Sequence, residues 1–158
     1  MEQSEMAEIY DRLHDDVYRI ALTCCRNIQD AEDITQDVFL TRFERSEPFP
    51  DTQAEKAWML RVAINRCKDL HRSFFRRKTI PLELAGEIPV QSKAESAVWE
   101  AVNLLPEHYR VTVHLYYFEG YSVREIAKIT NASETAVQTR LARARKRLRK
   151  MLGEGFQL

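Results

Sequence analysis

Gln138, Thr139, Arg140, Arg143, Lys146, Arg147 and Lys150 recur at helical spacing near the C-terminal end of this 158-residue chain. Side chains of these types do non-covalent chemistry: the cations neutralise phosphates, and Gln or Thr hydrogen-bonds to base edges. A second set, Arg61, Asn65, Lys68, Arg72 and Arg76, falls at steps of four, three, four and four, so it shares one helical face. Trp58 precedes it. A basic stripe beside an aromatic suits single-stranded nucleic acid, where phosphates meet the cations and bases stack. Side chains for covalent chemistry are not assembled anywhere. There is no Gly-rich phosphate loop and no nucleophile elbow. His14, His71, His108 and His114 are scattered, and Cys24, Cys25 and Cys67 lack metal-site spacing and suit a buried apolar role. No enzyme, metal or cofactor is therefore expected.

The elements that must hold these residues are all helical. In Ser122 to Leu141, Ser122 and Glu125 have capping-box spacing, Asn131 suits a left-handed stop, and Ser133 suits the cap of the next helix. Val137, Leu141, Ala144 and Leu148 then form a single apolar stripe, leaving the basic ladder outside. This is a helix-turn-helix pattern whose second helix fits a DNA major groove. Upstream, Met6, Ile9, Tyr10, Leu13, Val17, Ile20, Ala21 and Cys24 mark one face of a first helix. Asp30 is expected to open a second, carrying Ile34, Val38 and Phe43 and ended by Pro48 and Pro50. Thr52 and Glu55 have the spacing of a capping box for a third, with Leu60, Ala63, Ile64, Cys67, Leu70 and Phe74 buried. From Thr79 to Gln91 the pattern dissolves around Pro81, Gly86 and Pro89, and Ser92 with Glu95 restarts a helix. The expectation is an all-α chain of two small domains, 1–78 and 92–158, joined by a flexible linker over 79–91.

Charge follows the same division. The 24 basic and 24 acidic residues cancel overall, but residues 1–50 carry a net −7, 51–80 a net +5, 81–100 a net −3 and 101–158 a net +5. Two basic surfaces call for polyanions, and the acidic start calls for a different partner, a protein. Apolar stretches are broken by charges and the N-terminus is acidic, which argues against a membrane span or export signal and for the cytoplasm.

Three blocks in order resemble the extracytoplasmic-function (ECF) group of bacterial sigma factors. Asp30-Ala-Glu-Asp-Ile-Thr-Gln-Asp-Val-Phe-Leu-Thr-Arg-Phe resembles the region 2 helix that docks on the polymerase clamp. Lys56-Ala-Trp-Met-Leu-Arg-Val-Ala-Ile-Asn-Arg-Cys-Lys-Asp-Leu-His-Arg is similar to the segment that melts and reads the -10 element. Leu105-Pro-Glu-His-Tyr-Arg through Tyr117-Phe-Glu-Gly-Tyr-Ser to Arg143-Ala-Arg-Lys-Arg-Leu resembles region 4, which reads the -35 element. The resemblance implies that Asp30, Asp33, Gln36, Asp37, Phe39 and Leu40 meet core RNA polymerase, whose clamp and flap regions would be the contacts. It places Trp58, Arg61, Asn65, Lys68, Arg72 and Arg76 at -10 DNA, with a base-capturing loop over Ser46–Gln53. Ser133, Thr135, Gln138, Thr139, Arg140 and Arg143 would face the -35 element. Asn131 and Thr135 stand where the family commonly carries Gly, and Gln138 where it often carries a basic residue. An anti-sigma factor is implied as a further partner. A helix-turn-helix regulator that never enters polymerase is the competing expectation, and the acidic run from Asp30 to Asp37 argues against it.

Overall fold

The computed structural model describes residues 1–72 and 93–153, and side chains in the second stretch from Ala97 onward. Seven α-helices and no strand occur among the described residues. They fall into two units, Met1–Ala85 and Gly86–Leu158.

In the first unit, α1 (Gln3–Cys25), α2 (Ile28–Glu44) and α3 (Thr52–Arg72) each pack against the other two. Their shared core contains Leu13, Val17, Ile20 and Ala21 from α1, Ala31, Ile34, Val38 and Phe39 from α2, and Met59, Leu60, Ala63, Ile64 and Cys67 from α3. All three cysteines are buried thiols outside any disulfide. Tyr10 differs from its expected place in the α1 stripe: it is 45% exposed, and its ring lies 4.9 Å from that of Phe39. Arg26 turns the chain in the left-handed region (φ 53°), sending its N–H back to the Leu22 carbonyl. The buried Asn27 then caps α2 by accepting from the Asp30 amide at 2.9 Å. Asp30 thus sits in the first turn rather than opening the helix, where its charge favours the helix dipole.

The expected Thr52–Glu55 capping box does not form. Asp51 caps α3 by accepting from the Ala54 amide at 2.7 Å, one residue earlier than the spacing suggested. Glu55 is instead buried and accepts from Arg12 Nη2 at 2.7 Å and Arg42 Nε at 2.8 Å, so one carboxylate ties all three helices together. Two guanidinium donors on a buried carboxylate are worth more than one backbone amide at an exposed helix end.

In the second unit, α4 (Lys93–Asn103), α5 (Glu107–Val113), α6 (Val123–Thr130) and α7 (Glu134–Leu152) follow in order, with a π-helical turn, His114–Phe118, extending α5. Ala101, Val102, Leu105, Val113, Ala144 and Leu148 form one buried cluster. Leu105 and Arg110 are joined by a 2.7 Å bond from Arg110 Nη1 to the Leu105 carbonyl, closing the α4–α5 corner. The Ser92–Glu95 cap, the 79–91 linker, Phe74 and Arg76 lie outside the described residues.

Candidate nucleic-acid and partner interfaces

The α6–α7 corner is built by local chemistry. Ser122 Oγ accepts from the Glu125 amide at 3.1 Å while Glu125 Oε1 accepts from the Ser122 amide at 3.0 Å, a reciprocal capping box. Asn131 holds φ 54° and ψ 48°, and its N–H returns to the Ala127 carbonyl. Ser133 Oγ accepts from the Ala136 amide at 3.0 Å and starts α7. Val137, Leu141, Ala144 and Leu148 are the buried residues of α7. Thr135, Gln138, Thr139 and Arg143 are exposed and Arg140 is half-buried, so these five occupy the helix surface outside the apolar stripe. Ser133 is exposed too, but its hydroxyl is committed to the cap. The ladder beyond Arg143 is not uniformly free. Arg145 turns inward to donate to the Tyr117 hydroxyl at 2.6 Å, and the Arg147 guanidinium lies 5.3 Å from the Tyr109 ring centre. These two cations brace α7 against α5 and its π-helical turn.

On α3, Arg61, Asn65 and Arg72 are exposed and Lys68 is half-buried, opposite the buried Met59, Leu60, Ala63, Ile64 and Cys67. Trp58 is half-buried at the foot of this stripe, against the loop that enters α3. Its ring centre lies 5.5 Å from that of Phe49, tilted by 54°. The Arg45 guanidinium sits 4.4 Å from the Phe49 ring and 5.1 Å from the Trp58 ring. Arg45 also donates to the Glu47 carbonyl at 3.2 Å. Phe49 and Arg45 were missed by sequence reasoning, which marked the loop without choosing residues from it. An aromatic between two prolines, four residues after an arginine, was the available signal.

The acidic face of α2 divides into two kinds of residue. Asp33, Gln36, Asp37 and Leu40 are exposed, with Leu40 at 54%. Asp30 and Phe39 are 6% and 3% exposed, so Asp30 serves the helix start and Phe39 the core. The expectation that both present themselves to a partner differs from this placement: helical phase turns Phe39 into the core, whereas Asp30 shares the face of Asp37 and is covered because it sits in the first turn of α2. Asp30, Asp33 and Asp37 line an open groove with Ile34 of α2 and Arg66, Asp69 and Leu70 of α3. Arg66 was not in the expected basic stripe and instead reaches back toward α2, 3.5 Å from Thr41 Oγ1.

Residues 9–78 match the Sigma-70 region 2 family, and residues 95–148 match Sigma-70 region 4. The chain is 31% identical to the ECF RNA polymerase sigma factor SigM of Bacillus subtilis, over 94% of this chain and 95% of that protein. The chain belongs to the ECF sigma factors. SigM of Mycobacterium tuberculosis is likewise 31% identical, over 92% of this chain and 76% of its own length. The fold of this sigma factor is similar to that of RpoE from Bartonella quintana, solved in complex with the anti-sigma factor NepR. That match has a TM-score of 0.71 at 19% identity and covers 94% of this chain and 96% of that one. CnrH, solved with the cytosolic domain of CnrY, matches with a TM-score of 0.68 at 23% identity, over 98% and 92% of the two chains. Like its family, this sigma factor directs RNA polymerase to promoters, through two helical regions that are both present here. None of its described helices is long and apolar enough to cross a membrane.

Proposed function

We propose that residues 1–78 of this sigma factor dock on the polymerase clamp and capture opened -10 DNA, that 79–91 act as a linker, and that 92–158 engage the polymerase flap and read the -35 element. One observation carries this reading: a single three-helix unit presents an acidic, apolar-edged α2 and a basic α3 stripe beside Trp58, whereas a regulator acting alone would need only the helix-turn-helix. Asp33, Gln36, Asp37 and Leu40 are the exposed α2 residues available to a basic partner surface. Trp58, Arg61, Asn65, Lys68 and Arg72 would hold the separated strand, the aromatic stacking on a base and the cations on phosphates. Gln138, Thr139, Arg140 and Arg143 would enter the major groove, with Ser133 and Thr135 at the α7 N-terminus, where free amides suit a phosphate.

The chain itself catalyses nothing in this mechanism; bond formation belongs to polymerase, and the complex works in the cytoplasm. An anti-sigma factor is the expected restraint, a reading supported by the two similar folds, RpoE and CnrH, whose structures hold NepR and CnrY. The test is transcription in vitro with purified core polymerase on fragmented genomic DNA, with the transcript starts sequenced. Starts sharing spaced -35 and -10 elements are expected only when the protein is added. Starts identical to those of core enzyme alone would refute the reading.

A further inference from the structure

The loop between α2 and α3 rests on a buried ion cluster, and that contact has a role beyond holding helices together. Arg42 is 8% exposed and grips Glu55 with two nitrogens, Nε at 2.8 Å and Nη2 at 2.7 Å, both on Oε2. With its edge so fixed, the guanidinium lies over the loop's Phe49 ring, its carbon 5.0 Å from the ring centre. Phe49 in turn meets Trp58 at 5.5 Å, and the two tilted rings make one aromatic surface beside the α3 stripe, with Arg45 over both. Arg12 reaches the same Glu55 carboxylate from α1, through Oε1 at 2.7 Å, and the ring contacts of Phe49 are to Arg42, Arg45 and Trp58. The two arginines therefore share a partner, and among the described ring contacts it is Arg42, not Arg12, that lies over Phe49 of the loop.

We infer that Arg42 is a positioning residue for DNA opening: clamped by Glu55, it holds Phe49 beside Trp58 before the strand arrives, so that one unpaired base that displaces Arg45 finds both rings already in place. A flexible loop would have to order Phe49 at the moment of capture, losing the entropy of a loose side chain and backbone; a preset ring avoids that loss. A planar, always-charged guanidinium suits the task, because it can donate to a carboxylate from its edge and stack on an aromatic ring with its face at once. Lysine has no such second face. This inference rests on the reading above that the loop meets opened -10 DNA, and the experiment keeps the two apart.

The full-length protein bound to core polymerase is titrated with fork-junction DNA built on the strongest start mapped by the transcription experiment. Each exposed non-template position carries either its base or an abasic sugar. Stacking of one base corresponds to a preference of roughly 5- to 140-fold over the abasic site. Wild type should show such a preference at one position, and Phe49→Leu and Trp58→Ala should lose it. Arg42→Gln should lose most of it, and Arg42→Lys, which keeps a cation beside Glu55, part of it. Arg12→Gln breaks the other arm of the same cluster and should keep the full preference whatever its melting temperature. A folded Arg42→Gln or Arg42→Lys with the wild-type preference overturns the positioning role. So does equal loss in Arg12→Gln, which would mean that general loosening is enough. If wild type prefers a base nowhere, or Phe49→Leu keeps the preference, base capture by this loop falls, and the positioning role falls with it.

Discussion

Glu55→Gln is the sharpest test of how the first unit is held. The carboxylate, 6% exposed at its side chain, accepts at 2.7 Å from Arg12 and at 2.7 and 2.8 Å from two nitrogens of Arg42, whose own side chains are 33% and 10% exposed. A glutamine fills the same volume but has a single acceptor oxygen, and its NH2 group must point at one of the two guanidiniums. One arginine is thus left facing a donor, and the buried one, Arg42, loses its countercharge. Breaking a buried pair by removing one partner costs about 3–5 kcal/mol, and the remaining acceptor together with the partial exposure of Arg12 places this case near the lower end, about 3 kcal/mol. For a unit of this size, that is a fall in melting temperature of roughly 12–24 °C. Calorimetry with hydrogen exchange resolved along the chain provides the assay. Protection should fall in α1, α2 and α3, with α6 and α7 unchanged. The pH dependence follows from linkage. Burial pushes the Glu55 carboxyl up, but the hydrogen bonds and charges of Arg12 and Arg42 outweigh it and hold the group below its ordinary value. A carboxyl lowered by folding contributes stability that is fully present above its unfolded value, about 4.3, and lost as pH falls through its folded one. The gap between wild type and Glu55→Gln should therefore be full at pH 7 and close progressively in acid below about pH 4. A variant melting within 3 °C of wild type at pH 7, or a gap that persists unchanged in acid, would refute the reasoning.

Three further outcomes are expected. Asn131→Ala should destabilise the second unit by about 1 kcal/mol, read as a lower denaturation midpoint, because a β-carbon without a polar tip is disfavoured at φ 54°, whereas Asn131→Gly should be neutral or better. Reversing charge at Asp33 and Asp37, both exposed, should weaken binding to core polymerase in a sedimentation or anisotropy assay while circular dichroism stays that of wild type; unchanged affinity would remove them from the interface. Arg140→Ala should reduce the preference for the cognate -35 sequence, each good base contact being worth about 1–3 kcal/mol, while Lys146→Gln should mainly flatten the salt dependence by about one unit of slope. Anisotropy at several salt concentrations separates the two, and identical behaviour would abolish the division of roles.

The residues that could be assigned in advance are those whose neighbours are close in sequence. Ser122 with Glu125, Asn131 and Ser133 build their turn through partners no more than four residues away, and helical period alone places Val137, Leu141, Ala144 and Leu148 inside. The same logic failed wherever a residue had two partners competing for it. Thr52 and Glu55 had capping spacing, but Asp51 lay nearer the helix start and two distant arginines claimed the glutamate, so the cap moved by one residue. Phe39 belongs by composition to a docking face and by helical phase to the core, and phase prevailed because burying an aromatic ring outweighs leaving it for an absent partner.

What the chain determined by itself, then, was its helices, its helix-turn-helix and the placing of its basic stripes on helix faces, because period, caps and charge are local and additive along a helix. Only tertiary structure decided which cations are engaged by distant side chains. Arg145 is tied to a tyrosine 28 positions away, Arg147 lies exposed over one 38 positions away, Arg66 leans toward α2, and Arg42 is buried beneath the loop that carries Phe49. Those choices depend on contacts between residues far apart in sequence, and no helical wheel contains them.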